Sequence, residues 1–423
     1  MHMIVALALT VFIFHGQKLD ATRDLLRYKA LVVKRFVAGV AAAVLAAALT
    51  FGVAAPQSSP GTAARWKLHD LGRLRGLEMA PVAVNERGDI VGYGYGAGVA
   101  GRAFLFRGGK LVDLGRCGGY STAVAINARG DAVGSCGRRK NGKPDHAFLW
   151  RNGKAIDLGT GGWTTSEAVA INSHGEIAGN RFLGNQAHAF LWRAGKMRDL
   201  GTLGGSKSEA TAIDDNGDVV GESTTASGEQ HGFLWRDGKM TDLGTLGGSA
   251  SAGFNGVANE QVEPRDVNGH GTIVGLVHDP VGSYETAFLW RNGKLSTFGS
   301  FDGQPNRAIA LNDRGQVLLQ TTPPTDKRGD AYVWTNGKLT KLPSFDLAQP
   351  ATFANGLDDR GDVAGRSLVA IGHMRPFVWW NGRMYPLPTL DGKTSAPFTS
   401  VSALNSRGIV VGASALHLVI WTR

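Results

Sequence analysis

The stretch HAFLWRNGKAIDLG, residues 146–159, returns as HAFLWRAGKMRDLG at 188–201 and as HGFLWRDGKMTDLG at 231–244. Each copy is an apolar run, a two-residue centre of the Asn-Gly kind and a second short run. Such pairs tolerate positive φ at both central positions, which gives a type I′ turn whose twist matches the strands it joins. The stretch therefore reads as a β-hairpin. Further copies begin at Ala103, Ala287, Ala331 and Pro376, and the spacing from one to the next is mostly 42 to 45 residues.

A second module alternates with the first: VNERGDIVG (84–92), INARGDAVG, INSHGEIAG, IDDNGDVVG, VNGHGTIVG, LNDRGQVLL, LDDRGDVAG and LNSRGIVVG (404–412). Asn or Asp at the first turn position and Gly at the fourth suit a type I turn closed by a left-handed residue. These are hairpins too. The run IDDNGD (213–218) lacks the alternating ligands and the later bidentate Glu of a calcium loop, so it reads as a turn and no metal is expected. Small polar segments such as TLGGSKSEATA link one module to the next.

Four short strands per period with no helical pattern between them predict an all-β chain, a single β-propeller of four-stranded blades. The second module occurs eight times, so the expectation is eight blades. WKLHDLG (66–72) is a return strand with nothing before it, and HLVIWTR (417–423) is a strand with nothing after it. Together the N- and C-terminal strands would make one blade and close the ring as a clasp, leaving no free edge at the seam. Trp150, Trp192, Trp235, Trp290, Trp334, Trp379 and Trp421, with Phe106 in the first copy, recur at one place and are expected to fill the gaps between blades.

The ends and the charge bear on address. Residues 34–55 have a basic start, an apolar stretch and small residues before PQSSPGTAA, the layout of a secretory signal peptide. The expected organisation is a leader at 1–55 with the signal peptide at 33–54, a linker at 56–64 and the repeat domain at 65–423. An uncleaved N-terminal membrane anchor is the alternative. A second apolar run, MIVALALTVFIF, precedes this segment and suggests that translation starts at Val33. The net charge is +10, of which residues 1–54 contribute +4, leaving about +6 on the rest, too diffuse to argue for nucleic acid. Cys117 and Cys136 are the only cysteines, expected to pair in an exported protein, with two buried thiols as the alternative.

The elements HAFLW, NGK, DLGTLGG and AINxxGDIVG resemble the HAF family of probable extracellular repeats over residues 65–423. The likeness weakens from residue 300, where DLG becomes KLP and PLP. It implies a secreted bacterial repeat protein and brings no activity, cofactor or catalytic residue with it.

A residue present in every copy is most simply structural, so sites are sought where copies differ. His146, His188, His231 and His417 recur at one place. Equivalent positions on packed sheets lie about 10 Å apart, too far to share a metal. The connections between second and third strands are variable and basic. Arg102, Arg138, Arg139, Lys140, Lys143, Arg181, Lys327, Arg328, Arg366 and Arg375 could form a positive rim that holds an anionic cell-wall or extracellular polysaccharide, or a surface protein. One connection, 247–264, is about eleven residues longer than its siblings and brings Phe254, Glu260 and Glu263 as a candidate pocket. No nucleophile elbow or phosphate-cradling loop occurs in the sequence. The expectation is a monomeric, secreted, non-catalytic binding or scaffold module without cofactor. The alternatives are an extracellular polysaccharide hydrolase or lyase and a component of a cell-envelope assembly.

Overall fold

The computed structural model describes residues 66–423 apart from 97–98, 116–118, 139–142, 247–260, 279–284, 302, 323–328, 347, 349, 371–372 and 393–398. The leader, the linker, the start at Val33 and the candidate anchor all fall outside the described residues. Residues Ala64–Arg423 form one compact body. It is all-β: every regular element among the described residues is a strand.

The strands group as antiparallel four-stranded meanders in chain order. Six are separate four-stranded sheets, and two more, spanning 165–199 and 204–242, are joined into one eight-stranded sheet by the single parallel pair Ala187↔Lys207. We number the meanders as repeats 1 to 8 and their strands A to D. The A strands are Glu78–Val84, Tyr120–Ile126, Thr165–Ile171, Gly204–Ile213, Gln261–Val267, Asn306–Leu311, Thr352–Leu357 and Ser400–Leu404. The B strands are Ile90–Gly96, Ala132–Arg138, Ile177–Leu183, Val219–Thr225, Ile273–His278, Val317–Thr321, Val363–Ala370 and Val410–Ser414. The C strands are Val99–Arg107, Lys143–Arg151, Gln186–Arg193, Gln230–Arg236, Glu285–Arg291, Ala331–Thr335, His373–Trp380 and His417–Thr422, and the D strands of repeats 1 to 7 are Lys110–Asp113, Lys154–Gly159, Lys196–Asp199, Lys239–Asp242, Lys294–Thr297, Lys338–Lys341 and Arg383–Pro386. Repeat 8 draws its D strand, Lys67–Gly72, from the start of the body, paired with its C strand.

Both turn chemistries expected from the sequence are present. The C–D turns hold Asn152, Asp237, Asn292, Asn336 and Asn381 at φ near +50°, each followed by a positive-φ glycine. In the A–B turns one Asn does three jobs. Asn127 Oδ1 accepts the N–H groups of Arg129 and Asp131 at 3.0 Å, and its Nδ2 donates to the Asn172 carbonyl of the next repeat, also at 3.0 Å. The same donation runs from Asn85 to Asn127, Asn172 to Asp214, Asn268 to Asn312, Asn312 to Asp358 and Asn405 to Asn85. Where the turn starts with Asp214, whose carboxylate cannot donate, Asn216 Nδ2 reaches the Gly269 carbonyl instead, at 2.9 Å.

The core is a series of interfaces between consecutive repeats. Leu149 of repeat 2 packs with Ile177, Phe190 and Trp192 of repeat 3, and Leu191 of repeat 3 with Phe233 and Trp235 of repeat 4. The Trp residues do fill the spaces between sheets, but the preceding Phe lies deeper. Phe190, Phe233, Phe288 and Phe377 have no solvent exposure, whereas Trp150, Trp290, Trp334 and Trp379 are half-buried. Large apolar groups in two adjacent rows of one strand explain why the Phe and the Trp recur together.

The recurring histidines have a partner that reading them alone does not reveal. His146, His188 and His231 on C strands each bind the D-strand Asp eleven residues on, Asp157, Asp199 and Asp242, through Nδ1 at 2.8 to 3.0 Å. The Asp also accepts the N–H of the Gly two residues later, Gly159, Gly201 and Gly244. That Gly has φ of 75° to 79°, so Asp-Leu-Gly ends the D strand in a side-chain-capped turn. In repeat 1 the pair is Arg102 with Asp113, and in repeat 6 its charges are exchanged, Asp330 with Lys341.

Candidate functional site

The rim expected from the sequence is not an array of free charges. Arg102 is tied to Asp113 at 3.2 Å, and Arg75 joins the same carboxylate. Arg181 is only 7% exposed, binds Asp199 and lies over the Trp163 ring at 4.8 Å. Arg375 is half-buried on the C strand of repeat 7. Arg138 is on the B strand of repeat 2, whereas Arg139, Lys140, Lys327 and Arg328 lie outside the described residues. Phe254 and Glu260 of the long connection lie outside them too, and Glu263 is on the A strand of repeat 5. Cys136 is disulfide-bonded, and the chain's other cysteine, Cys117, is outside the described residues.

The copies differ most usefully inside the strands. Each A strand has a bulge, and two residues before its displaced partner a side chain faces one from the B strand directly opposite. In repeats 1 to 8 these cross-strand pairs are Ala80↔Tyr93, Thr122↔Ser135, Glu167↔Asn180, Glu209↔Glu222, Glu263↔Leu276, Arg307↔Gln320, Phe353↔Arg366 and Ser400↔Ala413. The A strands of consecutive repeats lie against one another, so the pairs form one level. Along it, three repeats in succession carry Glu on the A strand, and the next two carry Arg307 and Arg366. Sequence reading looked for variation in loops and missed it here, because the signal is a single position in each strand that becomes visible only when the repeats are aligned on their bulges.

The acidic side is electrostatically loaded. Burial pushes the Glu222 carboxyl up to about 7, and Glu263 and Glu209 add to the rise against an opposing hydrogen bond from Gln230 and the charge of Arg265. The cause is partly backbone chemistry. At the same place Asn180 Oδ1 accepts the Ala210 N–H at 2.7 Å and Gln320 Oε1 accepts the Ala354 N–H at 3.2 Å, both from the next repeat. The residue of repeat 5 in that position is Pro264, which has no N–H to offer Glu222. Glu167 is also raised, by burial and then by Glu209 and Asp145, against the Asn180 side chain. Glu263 is held by Arg265 at 2.9 Å, and His278 Nε2 lies 3.2 Å from its other carboxylate oxygen.

Asp266 sits just past the bulge of the same strand, where other repeats have Ala83, Ala125, Ala170, Ala212, Ala310 and Ala403. It accepts the Leu311 N–H of repeat 6 at 2.9 Å, and burial pushes its carboxyl up to about 6. Two surface cavities lie elsewhere, at seams between repeats. One of about 240 Å³ is lined by Phe298, Phe301 and Trp334, and one of about 330 Å³ by Asp218, Arg236 and His270. In the second, Arg236 and Asp218 satisfy each other. Neither cavity includes a residue of the level described above. Among the described residues no group of three or more His, Cys, Asp or Glu side chains is placed to hold a metal ion.

The chain resembles solved β-propellers. No family model matches it, and no curated protein does. The β-propeller domain of the Trilobed protease from Pyrococcus furiosus aligns over 71% of this chain and 95% of its own, with 11% identity and a TM-score of 0.45. The acylaminoacyl peptidase of Pyrococcus horikoshii aligns over 70% of this chain and 50% of its own at 14% identity and TM-score 0.40. TolB from Acinetobacter baumannii aligns over 69% and 63% at 10% identity and TM-score 0.35. The chain thus spans about half the length of the peptidase and under two thirds of TolB. At this identity and these TM-scores the likeness carries nothing further, and the strand pairing itself gives an all-β body of four-stranded meanders.

The expected role needs correction. A non-catalytic module held to an anionic polymer by a basic rim does not stand. The similar solved structures include propellers of peptidases. Within the rim, Arg102 and Arg181 are neutralised by Asp113 and Asp199, whereas Arg366 and Arg375 form no ion pair among the described residues.

Proposed function

We propose that the protein is an exported, peptide-handling β-propeller that holds a cationic group of a peptide on the Glu167, Glu209, Glu222 and Glu263 side of its inner level. The observation that carries this reading is the run of three consecutive repeats with Glu at one register position. Carboxylates this close repel one another, and one of them, Glu222, keeps its proton near neutral pH as a result of burial and that repulsion. An ammonium or guanidinium group placed among them relieves the repulsion and restores the ionised form of Glu222. Peptides carry such groups at lysine, arginine and the N-terminus.

The architecture proposed with it is eight blades closed into a ring by the terminal strands. Its support is the D strand Lys67–Gly72 paired to Thr422–Leu418 and the Asn405 donation to the Asn85 carbonyl at 2.8 Å, which links repeat 8 to repeat 1. Export rests on the leader pattern, and kinship with the HAF repeats rests on the repeated words of the sequence.

The test is calorimetric titration of the protein with a lysine-containing tripeptide and with its norleucine counterpart near pH 7, in two buffers of different ionisation enthalpy. Selective binding of the lysine peptide with release of a proton is expected, weakened by Glu209→Gln and abolished as proton release by Glu222→Gln. Equal binding of both peptides, or binding of neither, removes the reading.

A further inference from the structure

Next to the three glutamate repeats, the same level changes sign. Arg307, exposed on the A strand of repeat 6, forms no ion pair among the described residues. Arg366, on the B strand of repeat 7, is half-buried, forms none either, and its Nε is buried without a hydrogen-bond partner. A buried donor left unmade is costly, and a guanidinium that meets no carboxylate among the described residues is free to form a strong charge-assisted pair with a carboxylate from outside. Directly opposite Arg366 is Phe353, an apolar side chain 38% exposed. Of the other arginines of comparable burial, Arg102, Arg181 and Arg151 are held by Asp113, Asp199 and Asp131, whereas Arg375 on the neighbouring strand also has a buried Nε without a hydrogen-bond partner. Gln320, between the two arginines in the level, is occupied by the backbone of Thr352 and Ala354 and serves only as a spacer.

We infer that Arg307 and Arg366 form an anion subsite for the carboxylate of the same peptide whose cationic group lies on the glutamate side, with Phe353 against its apolar portion. The ligand class is then narrower than a basic peptide: a short zwitterionic peptide with a free C-terminal carboxylate. This rests on the reading proposed above and adds polarity to it. The glutamate repeats 3 to 5 and the arginine repeats 6 and 7 are adjacent, so the peptide lies along the level with its carboxylate toward repeat 7.

The experiment compares four probes on the full chain: a lysine-containing tripeptide as the free acid, its C-terminal amide, its doubly acetylated form that keeps only the carboxylate, and the acetylated amide. The free acid is expected to bind about tenfold tighter than the amide. Arg366→Gln and Arg307→Gln each bring that ratio toward one and leave the affinity of the amide unchanged. Arg307 is exposed, so its variant keeps the test open if Arg366→Gln fails to fold, which thermal melting reports. Equal binding of free acid and amide overturns the subsite and leaves the cationic reading standing. Equal binding of the acetylated acid and the free acid overturns the zwitterion and the cationic reading together. Binding of no probe overturns both.

Discussion

His417 Nδ1 lies 2.9 Å from an oxygen of Asp70, across 347 positions of sequence. It is the same C–D pair that His146 makes with Asp157 and His188 with Asp199 inside single hairpins. Gly72 N–H bonds Asp70 as Gly159 and Gly201 N–H bond their own Asp. The first strand of the body thus behaves as the missing D strand of the last repeat. Both side chains are partly exposed, and such ion pairs contribute less than about 1 kcal/mol. Asp70→Asn is therefore expected to move the melting temperature by no more than a few degrees. Removing residues 66–72 strips an edge strand from Trp421 and Leu418, both fully buried, and is expected to cause aggregation or loss of the cooperative transition. Equal melting of the truncated and intact chains argues against the clasp.

The Glu222 carboxyl sits at about 7 in the folded protein against 4.5 in the unfolded chain. The folded state therefore holds a proton that the unfolded state has lost. Stability from this group is complete below about pH 4.5 and declines as pH rises through about 7, a change on the order of 3 kcal/mol at most. Glu222→Gln keeps a neutral group at the place where Gln320 already serves in repeat 6. The variant is expected to match the parent near pH 4.5 and to melt higher at pH 8, seen in paired thermal scans. A variant that melts lower at pH 8 contradicts the burden assigned to this carboxyl.

The turn ladder separates donation from acceptance. Asn127→Ala removes two acceptor bonds and two donor bonds and is expected to cost about 2 to 3 kcal/mol in denaturant titration. Asn127→Asp keeps the acceptors and loses the donations to Asp131 Oδ2 and to the Asn172 carbonyl, which still receives the Gly175 N–H at 3.0 Å. A cost of about 1 kcal/mol is expected. Repeats 4 and 7, which start their turns with Asp214 and Asp358, are natural precedents.

Cys136 is disulfide-bonded, and Cys117 is the other cysteine of the chain. A bridge that closes a loop of roughly 20 residues stabilises by roughly 3 kcal/mol through the unfolded state. Cys136→Ser is expected to lower the denaturation midpoint by that amount, and reduction of the parent should reproduce the loss. A midpoint insensitive to reductant would show the bridge to be dispensable.

Most of the backbone was legible before the structure. Asn152-Gly153 and its relatives can hardly form anything but type I′ turns, and Asn127 with Gly130 specifies the A–B turn, because both depend on local dihedral preferences. The histidines were legible as repeats but not as half of a pair, since Asp157 looked like part of a separate word. The basic rim misled for a related reason. A run of arginines in sequence says nothing about the carboxylates that strand pairing brings beside them, as Asp199 is brought beside Arg181.

What the sequence determined by itself is the periodic part of this protein: hairpins, their turns and the recurrence of the four-stranded unit, all encoded within a few residues of one another. What only the tertiary structure decided is the level at which Glu209, Glu222, Glu263, Arg307 and Arg366 stand together. These side chains come from four different repeats, and their register depends on a bulge in each A strand. Glu222 is pushed upward by neighbours up to 41 residues away in sequence, Glu263 among them, and meets Pro264 where its counterparts meet an N–H. Long-range electrostatics and the lack of one backbone donor arise only when the sheets pack.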